Sequence, residues 1–289
     1  MSAVLIDGKA LAAQIKQRAA EDAAKLRHLG RPPCLASVLI GNDAAAASFA
    51  RSQAKNAKSA GIEYRLIELP SGTDMPAAIN AIAKLNDDPF VSGIMLHLPV
   101  PNPLDGFALQ QRIAARKDVE GVGAANLGLL AMGREALAPC TAAAAFACLE
   151  STGVEIKGRE VVVVGRSVIV GKPLAMLLLN AHATVTQCHT RTRDLAAHTC
   201  RAEILIAAAG VVGLIGAEHV LPGAMVIDVG THRVPASDAP GETKMKTVGD
   251  VRYDEVAPIA RAITPVPGGV GPVTVAMLLA NTVAACRHA

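Results

Sequence analysis

The chain has 289 residues, enough for two domains of ordinary size, and 51% hydrophobic with 18% charged content describes a well-buried globular protein rather than a disordered one. Its net charge of +3 comes from scattered Lys and Arg with no basic run, and aromatic residues make up only 2%, which leaves no stacking platforms for single-stranded nucleic acid and argues against a nucleic-acid partner. Cys34, Cys140, Cys148, Cys188, Cys200 and Cys286 form no C-x-x-C pair or zinc spacing, no apolar run reaches the roughly 18 residues of a membrane span, and no basic N-terminal region precedes an apolar stretch; we expect reduced thiols, no membrane partner and a cytoplasmic location.

In chain order, residues 4–6 read as a short strand, Asp7-Gly8 as a turn, and 9–29 as an amphipathic helix with Leu11, Ile15 and Leu26 inward. A buried strand over 35–40 leads through Gly41-Asn42-Asp43 to a helix over 44–60, ended by Gly61. A strand at 63–69, a helix at 75–86 and a strand at 93–98 follow, the last running into the proline-punctuated segment LPVPNPLDG. This βα alternation predicts a parallel sheet covered by helices, hence an α/β fold.

A helix over 139–153 begins after Pro139, and VVVVGRSVIVGKP at 161–173 follows it. Four consecutive valines predict a strand buried on both faces, Gly165 ends it, and Gly171 with Pro173 opens a helix. Such a unit either receives a phosphate at the helix start or is an ordinary βα turn, since the spacing is not the strict G-x-G-x-x-G. Strands at 184–187, 204–208 and 225–228 come next, the last two ending near Gly210 and Gly230, where a doubly wound sheet meets its ligand. The polar segment 235–243 reads as an exposed hairpin or loop. In PVPGGVGP at 265–272 prolines stiffen a loop whose glycines permit close approach, either a sharp domain-crossing turn or a substrate clamp, and a helix follows from about 273.

GRSVIVGKP at 165–173, PVPGGVGP at 265–272, KDVEG at 117–121, PCT at 139–141 and VIDVG at 226–230 occur together and in order. With these motifs the chain resembles the methylenetetrahydrofolate dehydrogenase/cyclohydrolase family, the FolD type, over essentially its whole length. The resemblance implies an N-terminal α/β folate-site domain (1–140 plus a returning C-terminal helix, 271–289), a Rossmann-like NADP-binding domain (141–270), a cleft between them, and a homodimer. It implies NADP-linked oxidation of 5,10-methylenetetrahydrofolate to the methenyl form and hydrolysis to 10-formyltetrahydrofolate, in one-carbon metabolism and purine biosynthesis. By resemblance, Gly165, Arg166 and Ser167 form the cofactor turn, Thr190 and Arg191 meet the 2′-phosphate, and Gly230 and Thr231 supply backbone near the nicotinamide, where His232 stands in place of the usual Asn. The alternative is that Arg191 and Arg193 are solvated surface arginines. Pro267, Gly268, Gly269 and Gly271 belong to the substrate-side loop.

The folate side departs from the family pattern. Its Tyr-x-x-x-Lys falls on Phe49 and Gln53, its V-Q-L-P glutamine on His97, and its D-V-D-G aspartate on Glu120. Lys55 points about 200° around the helix from Gln53 and cannot replace the lysine in this register. Phe49 and Glu120 keep an aromatic face and a carboxylate for substrate binding, whereas proton-transfer capacity falls at Gln53. We therefore take Phe49, Gln53, His97 and Glu120 as substrate-site residues, the last three as catalytic positions, and expect a dehydrogenase with weak or absent cyclohydrolase. The alternatives are a fully bifunctional enzyme in which His97 replaces the lysine, a dehydrogenase for another pterin-type one-carbon carrier, and a non-catalytic paralogue that binds folate or NADP. Dispersed histidines and the absence of G-x-S-x-G predict neither a metal site nor a serine hydrolase.

Overall fold

The computed structural model describes residues 3–236 and 244–287. In chain order, β1 (Val4–Leu5), α1 (Gly8–His28), β2 (Cys34–Ile40), α2 (Ala44–Ser59), β3 (Glu63–Leu69), α3 (Met75–Asp87) and β4 (Gly93–Leu96) precede two short helices, α4 (Gly106–Gln110) and α5 (Ala124–Ala131). Then come α6 (Cys140–Glu150), β5 (Glu160–Val164), α7 (Gly171–Asn180), β6 (Thr184–Cys188), α8 (Leu195–Thr199), β7 (Ile204–Ala207) and β8 (Met225–Asp228). The chain ends with β9 (His232–Pro235), β10 (Met245–Val248), α9 (Tyr253–Val256), β11 (Ala262–Ile263) and α10 (Val270–Arg287). These elements form two compact units: a first, Ala13–Cys140 with Val275–Ala289, and a second, Met1–Ala12 with Thr141–Thr274.

The first unit is built on a parallel three-stranded sheet in the order β3-β2-β4. Every residue of the central strand β2 is buried, and its side chains alternate between two cores. Ala36, Val38 and Ile40 join Ile82 and Leu85 of α3 on one face. Leu35 joins Ala19 and Ala23 of α1, Ala57 of α2, and Leu278 and Leu279 of α10 on the other. Ser37 falls two residues after Leu35, so this alternation turns a hydroxyl toward that second face. The helix α2 starts where the Asp43 side chain accepts from the Ala46 amide at 2.6 Å, and it stops before Gly61, whose φ is +67°.

Several expectations shift. In α1 the residues in the core are Ala19, Ala23 and Leu26, while Leu11 and Ile15 are only half-buried. The strand expected to reach residue 98 ends at Leu96, because Pro99 has no amide to extend the ladder. α4 and α5, five and eight residues long, were not expected, being too short to show a helical period.

The second unit carries a six-stranded parallel sheet in the order β1-β11-β8-β7-β5-β6. The expected first domain, 1–140, differs from the structure at its N-terminus: Val4 and Leu5 pair with Ala262 and Ile263, which places the first strand in the second unit. A two-residue strand has no periodicity to reveal its partner. Val161 to Val164 are buried between β6 and β7, as a strand apolar on both faces requires. β9 and β10 pair antiparallel; of the expected hairpin or loop 235–243, only Pro235 and Ala236 lie within the described residues. α10 begins at Val270, three residues earlier than expected, because Pro272 in the first helical turn forfeits only an amide that has no helical partner. Against the expectation of no membrane-length apolar segment, these 18 residues have a mean hydropathy of 1.4, long and apolar enough to cross a membrane. Half of that window is buried, and Leu278, Leu279, Val283 and Cys286 fill the core of the first unit.

Candidate active site

Four residues expected at the substrate site, Phe49, Gln53, His97 and Glu120, gather on one side of the first unit's sheet. Phe49 and Gln53 are four residues apart on α2 and so share a face. Phe49 is 47% exposed, and its ring meets His97 edge-on, with centroids 6.0 Å apart and planes at 89°. Gln53 is 4% exposed; its Nε2 donates to Met95 Sδ at 3.1 Å, while its Oε1 is buried without a hydrogen-bond partner. Lys55 is exposed, as its helical position requires.

His97 follows β4, its amide donating to Val38 O at 2.9 Å. The ring is buried, and Nε2 lies 2.7 Å from Ser37 Oγ. Burial holds the imidazole below its ordinary pKa, so the neutral form dominates at pH 7. Sequence reasoning missed Ser37; the signal was a hydroxyl at an inward position of an otherwise apolar strand. The Tyr64 hydroxyl is also buried, and burial pushes its pKa up.

KDVEG divides three tasks among its charged side chains. The buried Lys117 ammonium donates to Leu85 O at 3.0 Å and to Asp88 O at 2.6 Å, closing the C-terminus of α3. Asp118 accepts from the amides of Gly121 at 3.0 Å and Gly123 at 2.7 Å and from Asn126 Nδ2 at 3.1 Å, which fixes the turn. Glu120 accepts a long bond, 3.4 Å, from the Leu96 amide and interacts with the Gln110 side chain. Burial, with the Asp118 carboxylate adding to it, pushes Glu120 up to about 7. This face therefore presents a neutral imidazole, a carboxamide with an unused acceptor, and a carboxyl that exchanges a proton near neutral pH.

The second set of expected residues lies in the second unit, at the C-terminal ends of its strands. After β5, Gly165 has φ +128°, and a Cβ there would run into the carbonyl of Ala208. Ser167 Oγ accepts from the amides of Val170 at 3.2 Å and Gly171 at 3.4 Å, organising the entry to α7, and Arg166 and Ser167 are exposed in front of that helix. Glycine at 165, with the Ser167 hydroxyl and the Arg166 guanidinium exposed before the N-terminus of a ten-residue helix, forms a turn suited to a phosphate. Thr190 and Arg191 are exposed in the turn after β6, where the Arg191 amide donates to His189 Nδ1 at 3.0 Å. A cavity of about 180 Å³ is lined by Gly230, Thr231, Pro267, Gly268, Gly269 and Gly271.

Two buried carboxylates, Asp228, which also lines the cavity, and Asp250, support these loops. Asp228 accepts from the amides of Gly230 (2.9 Å), Asp250 (3.0 Å) and Val251 (3.0 Å), and burial raises its pKa to about 6. Asp250 accepts from the amides of Ala209 (2.6 Å) and Gly210 (2.9 Å) and pairs with His232 Nε2 at 2.7 Å. Asp250 was not foreseen, since nothing in its spacing from 228 and 232 signals a contact.

Residues 6–120 match the family model described as tetrahydrofolate dehydrogenase/cyclohydrolase, catalytic domain, and residues 139–289 match the NAD(P)-binding domain of the same family. A bifunctional FolD protein of Frankia alni is 48% identical over 290 residues, covering 100% of this chain and 98% of that protein. One of Halalkalibacterium halodurans is 45% identical over the whole of both. Among solved structures, the bifunctional FolD methylenetetrahydrofolate dehydrogenase/cyclohydrolase of Campylobacter jejuni superposes with a TM-score of 0.93 at 38% identity, covering 99% of each chain. The Trypanosoma brucei enzyme, complexed with NADP cofactor and inhibitor, gives a TM-score of 0.90 at 39% identity, covering 100% of this chain and 98% of that one. The match extends over both units, and the chain belongs to the tetrahydrofolate dehydrogenase/cyclohydrolase family.

Proposed function

We propose that the protein is an NADP-dependent 5,10-methylenetetrahydrofolate dehydrogenase whose cyclohydrolase activity is weak or absent. The observation that carries this reading is the buried carboxamide of Gln53, a group that does not titrate, where the family pattern has a lysine. NADP, when bound, supplies the hydride acceptor. The protein's task in that step is placement and exclusion of water, and it needs no base. The Gly165 cradle, with Arg166 and Ser167, binds the phosphates; Arg191 and Thr190 pair with a 2′-phosphate, which favours NADP over NAD. Gly230, Thr231 and the 267–271 loop approach the nicotinamide and the substrate through their backbones.

Hydrolysis differs, because a water must be deprotonated and a tetrahedral centre stabilised. Phe49 stacks on the pterin and Glu120 pairs with its amide edge. Gln53 can hydrogen-bond but cannot move a proton. His97 is neutral at pH 7, but its lowered pKa makes it a weak base, and Nε2 is committed to Ser37. Losing one well-placed acid or base costs about 10² to 10⁴ in rate.

Two assays test this. The purified enzyme is expected to reduce NADP with methylenetetrahydrofolate and to hydrolyse methenyltetrahydrofolate barely above the uncatalysed rate. Robust hydrolysis abolished by His97→Ala would establish the bifunctional reading instead, and reduction only with another pterin-type carrier would reassign the substrate. No reduction with NADP or NAD would make the chain a non-catalytic paralogue. A homodimer and a cytoplasmic location belong to the same proposal; sedimentation of the pure protein and fractionation of cells check them.

A further inference from the structure

The two buried carboxylates of the second unit are connected to more backbone than their own turns need. Asp228, at the end of β8, holds the Gly230 amide, and its own amide donates to Thr264 Oγ1 at 2.7 Å, at the start of the loop that runs to Gly271. Asp250 holds the Ala209 and Gly210 amides after β7. Its other oxygen meets His232, two residues beyond Gly230. Three loops, after β7, β8 and β11, thus hang from one buried cluster.

Backbone donors fill this cluster. Both oxygens of Asp228 and one oxygen of Asp250 accept main-chain amides, so His232 is the side chain that completes the second oxygen of Asp250. A carboxylate in such a setting is an acceptor, which makes Nε2 of His232 the proton-bearing nitrogen. The space is closed to alternatives: a Cβ at Gly230 would collide with Asp250 Oδ1, and one at Gly249 with Asp228 Oδ2. Asp250 is fully buried, whereas the His232 side chain is 20% exposed. The contact of His232 with Asp250 closes the turn that carries Gly230 and Thr231, both of which line the cavity.

We propose that His232, through Asp250, is a positioning residue for the nicotinamide end of the dinucleotide, holding the Gly230–Thr231 backbone in its binding conformation. This rests on the reading of the second unit as the NADP site. His232 touches no reacting atom in this role; it lowers the cost of ordering the turn when the dinucleotide binds.

The test uses the full-length enzyme with NADP and methylenetetrahydrofolate. His232→Ala is expected to raise the KM and the Kd for NADP about tenfold, the scale of a hydrogen bond to a charged group. The KM for the folate is expected to stay unchanged. His232→Gln, whose Nε2 can reach the same oxygen, is expected to restore most of the NADP affinity, which a general packing role would not do. NADP affinity unchanged in His232→Ala, or a loss that His232→Gln fails to recover while both variants melt at the wild-type temperature, would overturn the proposal. If either variant is unstable, NADP binding measured at 10 °C on the folded fraction gives the same comparison. Wild-type enzyme that binds no NADP would instead refute the function on which the proposal rests.

Discussion

Replacing Glu120 by Gln tests the electrostatics of the first unit without assuming any activity. The carboxyl rises from its ordinary 4.5 to about 7, first through burial and then through the neighbouring Asp118. An acid whose pKa is raised by folding favours the folded state while protonated. That contribution is complete below the unfolded pKa near 4.5 and is lost as pH rises through about 7. At about 1.4 kcal/mol per pH unit, the full effect is at most about 3 kcal/mol, less whatever water reaches the half-buried ionised group. Glutamine mimics the protonated acid at every pH. Glu120→Gln is therefore expected to match the wild type near pH 4.5 and to exceed its stability by about 2 to 3 kcal/mol at pH 8. Urea unfolding followed by circular dichroism at half-unit pH steps measures this. A difference that stays constant between pH 4.5 and 8, or that shrinks as pH rises, would refute the assignment of a raised pKa to Glu120.

Arg191→Ala is expected to raise the KM for NADP about tenfold while leaving that for NAD unchanged, since only NADP offers the 2′-phosphate to the guanidinium; steady-state kinetics with both dinucleotides decides it, and equal losses would show that Arg191 does not read the phosphate. Gln53→Lys places an ammonium where the pocket holds an orphaned carbonyl. It is expected to raise hydrolysis of methenyltetrahydrofolate by about 10² or more, at a cost in stability because the position is 4% exposed. A stable variant with no gain in hydrolysis would show that the missing lysine does not limit the reaction.

The sequence carried the strands well: residues 225–228, buried on both faces, match β8 end for end, and residues 63–69 match the half-exposed edge strand β3. The glycines at strand ends were legible too, since Gly165 answers to the backbone alone. Contacts between distant positions were not legible. Ser37 and His97 are 60 residues apart and meet only because β2 and β4 are neighbours in register, Ser37 opposite Met95. The pair Asp250 and His232 depends on the same kind of adjacency, here between β9 and β10. The role of Lys117 was hidden too: a lysine before Asp118 reads as a solvated charge until the end of α3 arrives beside it.

That contrast bears on the proposed function, in which one half of the molecule keeps its activity while the other loses one. The cofactor cradle is made mostly of backbone, with glycine demanded at 165 and 230 by collisions that any Cβ would cause. Substitution there is nearly all or nothing, so an intact motif speaks for an intact site. The opposite face is made of side chains, and those can be exchanged one at a time while the sheet beneath them stays whole. With Gln53 in place α2 is capped and packed; what a glutamine lacks at that position is a titratable group. The steps most exposed to such drift are those that move protons through side chains. Hydride transfer, which rests on placement by rigid backbone, is the step best protected from it.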